Sequence, residues 1–371
     1  MSNAALSHPQ PSRPSRIIRT GPGEGRPQTS EFSALLATVR DAGLLRRRPG
    51  FYIAVFAILV ALTGGAIAGI VLLHESWLIL LVAAGLGVLF TQFAFLAHEA
   101  AHRQVFESHR ANEFSGRLLA DFVVGISYSW WMNKHTRHHG NPNTVGKDPD
   151  IEPDVVMFRT EDTEKVTGRV YSWLLNRQAW FFFPLLLLEG VNLHRHAFTT
   201  VFSAGKVDKR ALSISLLVAR NIVYLSLLFW LLPPGMAVAF LGVQMAVFGL
   251  YMGSSFAPNH IGMAVLPATS RIDFLRRQVL TSRNITGGWW MTAFMGGLNF
   301  QVEHHLFPSM PRPHLRRANE IVREYCEARS VRYTENPLPT AWRVVLRYLD
   351  RVGLAAGVAA FDCPTAMRYG R

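Results

Sequence analysis

The chain has 371 residues, 49% hydrophobic and 17% charged, with a mean hydropathy of +0.16, which is too apolar for an ordinary soluble enzyme and too charged for a many-span transporter. Its net charge of +13 comes with no nucleic-acid motif, which argues against a nucleic-acid partner. The two cysteines, Cys326 and Cys363, form no CxxC pair, so a disulfide framework and a thiolate zinc site are excluded and any metal falls to histidine.

Residues 1–49 carry eight arginines, no lysine and abundant Pro, Ser and Gly, and read as a disordered basic tail, topogenic or drawn to anionic headgroups. No apolar core follows the first methionine, so no secretory signal is expected. Two apolar runs, 51–73 and 77–97, are each long enough to cross a bilayer and are parted only by His74, Glu75 and Ser76. Residues 118–132 contain Asp121 and end on Trp130 and Trp131, which suggests an interfacial helix. The run 180–188 is half a span long and broken by Pro184, so it is placed at the interface or against the aqueous part. Two more spans, 211–232 and 235–258, are separated by Pro233 and Pro234, which stop a helix. Arg220, inside the third span, is expected to snorkel towards the cytoplasmic end. Residues 315–326 read as an exposed helix, and 344–360 as a helix lying on the membrane or the domain surface.

The expected architecture is therefore all-α: an integral membrane protein with four transmembrane helices in two hairpins and a cytoplasmic helical cap. Its divisions are the tail 1–49, a membrane domain 50–330 and a cytoplasmic extension 331–371. Neither short turn between spans holds Lys or Arg, whereas the tail, the central segment and the region after Pro258 are rich in them. The positive-inside rule then places both termini and the central segment in the cytoplasm, which brings the histidines that follow spans two and four to the same side as the rest.

Those histidines come in clusters. His98 and His102 stand at i and i+4, on one face of a helix continuing the second span. His135, His138 and His139 stand at i, i+3 and i+4, and Gln301, His304 and His305 repeat that spacing with glutamine first. His260 follows the fourth span. A lone HxxxH is weak evidence, but three such groups on one side of a membrane indicate metal. Imidazole suits several transition metals; eight histidines exceed what one four-coordinate zinc uses, so two metals are indicated, and two irons able to activate O2 give the site a purpose.

The segments HEAAH, HTRHHGNPN and QVEHHLFP resemble the three histidine boxes of integral membrane fatty acid desaturases, and the segment 256–260 resembles their additional ligand position after the fourth span. The resemblance covers roughly residues 50–330. Gln301, with the Lys147–Asp150 stretch, is most similar to the front-end branch that includes linoleoyl-CoA type delta-5 and delta-6 enzymes. It implies a cytoplasmic di-iron centre that uses O2 to form a cis double bond in an acyl chain carried by CoA or a lipid. The implied iron ligands are His98, His102, His135, His138, His139, His260, His304 and His305. Gln301 is left as a direct ligand, a ligand through water, or the mark of an open position. No haem motif, HPGG segment or iron–sulfur cysteine set is seen in the sequence, so an external ferredoxin or cytochrome b5 with its reductase is expected to deliver electrons. The rival on the same scaffold is a di-iron hydroxylase of a fatty acid, sterol or alkane.

Metal-bound imidazoles commonly give their other N–H to an oxygen. Asp148, Asp150, Glu99, Glu303 and Asp121 are candidates for that role, with surface charge or helix capping as the plainer alternative, and Asn259 is a candidate to hold a water on iron. His194 is a weaker ligand candidate and His196 weaker still. His74 is expected to be structural, and His8, His109 and His314 solvent-exposed. Trp130, Trp131, Trp289 and Trp290 are candidates for the acyl channel or for the interfacial aromatic belt. Arg276, Arg277 and Arg283 could meet acyl-CoA phosphates or an acidic electron donor, or simply reflect the positive-inside bias.

Overall fold

The computed structural model describes residues 30–163, 165–166 and 168–358; His8 and most of the basic tail, and the end of the chain with Cys363, lie outside them. Helices follow in the order α1 (Glu31–Asp41), α2 (Pro49–Leu72), α3 (Ile79–Ala101), α4 (His109–Arg117), α5 (Tyr128–Gly140), α6 (Thr160–Thr163), α7 (Arg169–Leu175), α8 (Gln178–Phe202), α9 (Arg210–Leu231), α10 (Pro234–His260), α11 (Phe274–Thr281), α12 (Trp289–Phe294), α13 (Gln301–Leu306), α14 (Leu315–Glu327) and α15 (Leu338–Val358). Two three-residue strands, β1 (Asn284–Thr286) and β2 (Glu335–Pro337), pair in parallel with Asn284 opposite Glu335. With an isolated parallel bridge between Thr144 and Leu266, they are the departures from an all-helical chain among the described residues.

Four helices are long and apolar enough to cross a membrane: α2, α3, α9 and α10. Along α2 the exposed side chains include Ile53, Phe56, Ile58, Leu62 and Val71, a lining that water would not tolerate at this extent and that lipid would. α3 and α10 outrun their apolar stretches, so that His98 and His260 sit on the last turns of rigid helices. α10 packs on α3 and α8 far more than on its neighbour in sequence, α9. Glycines set this closeness: a Cβ on Gly87 would stand 2.7 Å from the Gln244 carbonyl oxygen, and one on Gly249 2.6 Å from that of Leu186, so only glycine lets these backbones approach.

The run around Pro184 is not a short interfacial piece; it belongs to the 25-residue α8. Pro184 lies near the helix start, where it removes a single backbone bond, and packing along α10 outweighs that loss. Residues 118–132 are not one helix. Leu118–Val124 is a π-helical turn ended by Gly125 at φ 92, because the Asp121 carboxylate accepts from the Tyr128 backbone N–H at 2.6 Å and from Ser213 Oγ at 2.9 Å. Asp121 thus ties α5 to α9 and reaches no imidazole.

Arg220 does not snorkel; it is buried, with its guanidinium 4.6 Å from the Tyr224 ring centroid and 5.7 Å from that of Phe90. The described part of the tail contains α1, whose Leu35 and Val39 are buried in one cluster with residues of α11, α13 and α14, each contributing about 1.5–3 kcal/mol by leaving water. α14 is exposed on one face only, since Leu315, Ala318, Val322 and Cys326 at helical spacing enter the same cluster. His314 is buried, its Nδ1 2.6 Å from the Leu44 carbonyl and its Nε2 accepting from Arg48 Nε at 3.0 Å.

Candidate metal centre

Eight imidazoles from four helices meet below the ends of α3 and α10. His98, His102, His135, His139 and His304 form one group and His138, His260 and His305 another, each group offering one nitrogen per ring within 4.8 Å of the others. Helix geometry divides the clusters: on α5, His135 and His139 are one turn apart and face the first group, while His138 turns to the second. On α13 the adjacent His304 and His305 point about 100° apart and divide likewise. The groups abut, His139 stacking on His305 with ring centroids 4.2 Å apart.

The protonation pattern shows what the groups fit. His138 Nδ1 lies 3.0 Å from Asp148 Oδ2, His260 Nδ1 2.9 Å from the Thr281 carbonyl and His305 Nδ1 3.0 Å from Gln278 Oε1. Each outer nitrogen faces an acceptor and therefore carries the proton, which leaves each Nε2 with an inward lone pair. His138 Nε2 and His260 Nε2 then lie 3.3 Å apart, both turned inward, where one cation could be shared between them. In the other group His135 Nε2 is 2.8 Å from His102 Nε2 and 3.1 Å from His98 Nε2. Both nitrogens of His139 and the Nε2 atoms of His304 and His305 are buried without a partner, at a cost of about 1–3 kcal/mol each unless something is bound. Burial first, then the neighbouring rings, hold His135, His139, His304 and His305 well below the usual histidine range. Neutral rings are the ones that bind metal. Burial opposes the proton on His138, but the carboxylates of Asp148 and Asp150 outweigh it and raise that pKa.

Of the surrounding polar candidates, Asp148 and Asp150 touch a group histidine, Asp150 lying 3.2 Å from His138 Nδ1 and 2.8 Å from Lys134 Nζ. Glu99 does not; it is paired at 2.5–2.7 Å with the buried Arg312 and lies 3.4 Å from the Tyr52 hydroxyl. Glu303 accepts from Tyr333 at 2.5 Å and Asn284 at 2.7 Å. Asn259 donates to the Ser255 and Leu298 carbonyls and to Gln301 Oε1. With its oxygen on Asn259, Gln301 turns its amide nitrogen to His260 Nε2 at 2.9 Å.

His194 stands apart from both groups, between the carbonyls of Gly190 and Val124. His196 stacks on Trp130 instead. Trp131 is the tryptophan at the centre, stacked on His135 at 4.3 Å and 5.3 Å from His98; Trp289 and Trp290 are exposed on α12. Arg276 pairs with Glu31 and Asp273, and Arg277 and Arg283 donate to backbone carbonyls, so these three are committed within the protein. Gln278 and Thr281 belong to no motif in the sequence, and Phe256, which opens the 256–260 segment, reaches the centre with its ring 6.5 Å from His98.

Residues 75–337 match the family described as Fatty acid desaturase. Among curated relatives, a Delta(8)-fatty-acid desaturase of Borago officinalis is 28% identical over 82% of this chain and 71% of its own length. An Acyl-lipid (9-3)-desaturase of the same plant is 25% identical over 88% and 76%. A Delta(5) fatty acid desaturase of Caenorhabditis elegans is 28% identical over 88% and 74%.

Proposed function

The chain belongs to the fatty acid desaturase family, its relatives are front-end and acyl-lipid enzymes, and we propose that it is a di-iron desaturase placing a cis double bond near the carboxyl end of an acyl chain, delta-6-like, on CoA or a lipid. The observation that carries this reading is the pair of abutting histidine groups, with buried ring nitrogens left without partners.

His98, His102, His135, His139 and His304 would hold one iron; His138, His260 and His305 the other. When bound, two irons supply O2 activation and the removal of hydrogens from adjacent acyl carbons. The protein's part is orientation and exclusion of water. Asp148, Gln278 and the Thr281 carbonyl fix which nitrogen of His138, His305 and His260 carries the proton. Gln301, its oxygen held by Asn259, presents an N–H donor rather than an oxygen ligand to the three-ring group. Trp131 and Phe256 line the side of His98 with apolar surface against which a methylene chain can lie.

The four apolar helices are read as two membrane hairpins with the histidines and both termini in the cytoplasm, in accord with the turns at 74–76 and 233–234, neither of which holds Lys or Arg. Residues 50–330 would form the membrane domain and 331–371 a cytoplasmic extension. Electrons are assigned to a separate ferredoxin or cytochrome b5, acidic carriers that suit a chain of net charge +13. Expression in a host fed defined fatty acids, with mass spectrometry of its lipids, tests the reading: loss of two hydrogens at one carbon pair supports it, and gain of one oxygen without a double bond replaces it with the hydroxylase.

A further inference from the structure

We propose that α12 is a re-entrant piece of the membrane domain: it is seated in the lipid leaflet on the histidine side, alongside α3 and α10, with Trp289, Trp290 and Phe294 against lipid. This rests on the reading of α3 and α10 as membrane spans and goes beyond it, since α12 has six residues, far fewer than a span requires.

Hydrogen bonds to α10 fix the path of the chain. It comes in at the end of that helix, where the Arg283 backbone N–H donates to the Asn259 carbonyl at 2.8 Å. It goes out at the same level, where Asn259 Nδ2 donates to the Leu298 carbonyl at 3.1 Å. Between the two, the Phe294 carbonyl accepts from the Tyr251 hydroxyl, and Tyr251 lies about 12 Å back along α10 from Asn259, away from the histidine end. On α3 the Gln92 amide donates to the Tyr251 hydroxyl at 2.7 Å and to the Ala293 carbonyl at 3.2 Å. Gln92 stands about 9 Å before His98 along that helix. The segment therefore rises beside two helices that are long and apolar enough to cross a membrane, turns, and descends to α13.

At that level α12 is apolar on both sides. Met291 and Met295 are buried in one cluster with Phe95, Tyr251 and Leu298, whereas Trp289, Trp290, Ala293 and Phe294 are exposed. The exposed side continues a face of α3: Leu81, Gly85 and Val88, at helical spacing, are exposed and lead to Gln92. The stripe that α3 turns outward thus runs directly onto α12, and what covers one covers the other. No charged residue stands between Arg283 and Glu303, and paired tryptophans at the start of such a segment suit the boundary between headgroups and acyl chains.

The backbone gives an independent indication. The last carbonyls of a helix have no partner within it and ordinarily turn to water; in lipid each must be met by protein. Here the Met291 and Thr292 carbonyls accept from the Met295 and Gly297 N–H groups, both at 2.8 Å, and those of Ala293 and Phe294 are taken by Gln92 and Tyr251. Gly296 and Gly297, at φ 57° and 86°, make the turn back, and a Cβ on Gly296 would strike the Phe95 ring. Placed in this way, α12 walls the histidine centre off from lipid. Aromatic contacts run from Phe294 to Tyr251 at 4.7 Å, on to Phe95 at 6.0 Å, to Phe256 at 6.4 Å and to His98 at 6.5 Å.

The test is tryptophan fluorescence of the iron-loaded full chain reconstituted in phosphatidylcholine vesicles, plain or brominated on the acyl chains, with iodide as the aqueous quencher. The emission lost when Trp289→Phe and Trp290→Phe are combined isolates this pair among the nine tryptophans, and phenylalanine keeps both positions apolar and aromatic. Trp230→Phe isolates in the same way a tryptophan exposed on α9, a helix read as a span. The component from Trp289 and Trp290 is expected to fall severalfold in brominated lipid and to stay level when iodide is added. A component quenched by iodide puts α12 in water, and one quenched by neither agent puts it under protein, for instance a second copy of this chain; either result overturns the proposal. Trp230 keeps the failures separable. If lipid quenches Trp230 and not the pair, the placement of α12 alone is refuted, whereas a Trp230 beyond the reach of lipid refutes the membrane spans on which it rests.

Discussion

The two histidine groups are built by different means. In the three-ring group every imidazole has an outer oxygen: Asp148 for His138, the Thr281 carbonyl for His260 and Gln278 for His305. In the five-ring group no ring is hydrogen-bonded to a carboxylate, carbonyl or amide among the described residues; the rings pack on one another and on Trp131. One group is oriented by hydrogen bonds and includes an anion, the other by packing and by the number of donors. Outer partners tune basicity as well as angle, so the two proposed irons should differ in affinity and respond to different substitutions.

The largest expected effects come from removing ligands. His139→Ala and His304→Ala should each abolish the new double bond while membrane insertion persists, as read by lipid analysis and membrane fractionation; retained activity in both would remove them from the ligand set. Next comes the clamp that holds the α3 end under the five-ring group. Glu99→Gln strands the buried Arg312 guanidinium and should cost about 3–5 kcal/mol of stability, seen as a lower melting temperature. A melting curve like that of the wild type would show that packing there does not depend on the ion pair.

Asp148→Asn should weaken metal binding at the three-ring group alone, by about 10–100-fold, leaving one tightly held metal in a chelator competition. Equal weakening of both metals would show that Asp148 does not act on the three-ring group alone. Gln278→Leu should act in the same direction and by less, on the order of tenfold, because it removes a neutral acceptor from His305 and a donor to the His139 carbonyl. An effect on the five-ring metal larger than on its neighbour would show that Gln278 works chiefly through His139.

How much of this was legible in the sequence depended on whether the signal was local. The four apolar helices and the division of His135, His138 and His139 between groups follow from length, hydropathy and helical period. Outer partners do not, because they are chosen by the path of the chain: Glu99 meets Arg312, 213 residues away, and Glu303 meets Tyr333 instead of an imidazole. Gln278 and Thr281 sit on α11, a helix with no motif, so nothing marked them. α8 was hidden by Pro184, a local stop that packing against α10 overrides. α1 was hidden by the basic tail around it, although Leu35 and Val39 at i and i+4 were its signal. His314 had no ligand spacing, and only the fold brings it to Leu44 and Arg48.

Metal counting of the purified full chain tests the centre most directly. After anaerobic reconstitution and removal of loosely bound iron, two irons per polypeptide are expected, falling to one in His138→Ala through loss of the three-ring site. A saturated chain holding a single metal, or a His138→Ala chain that still holds two, would contradict the division of the eight rings into two sites.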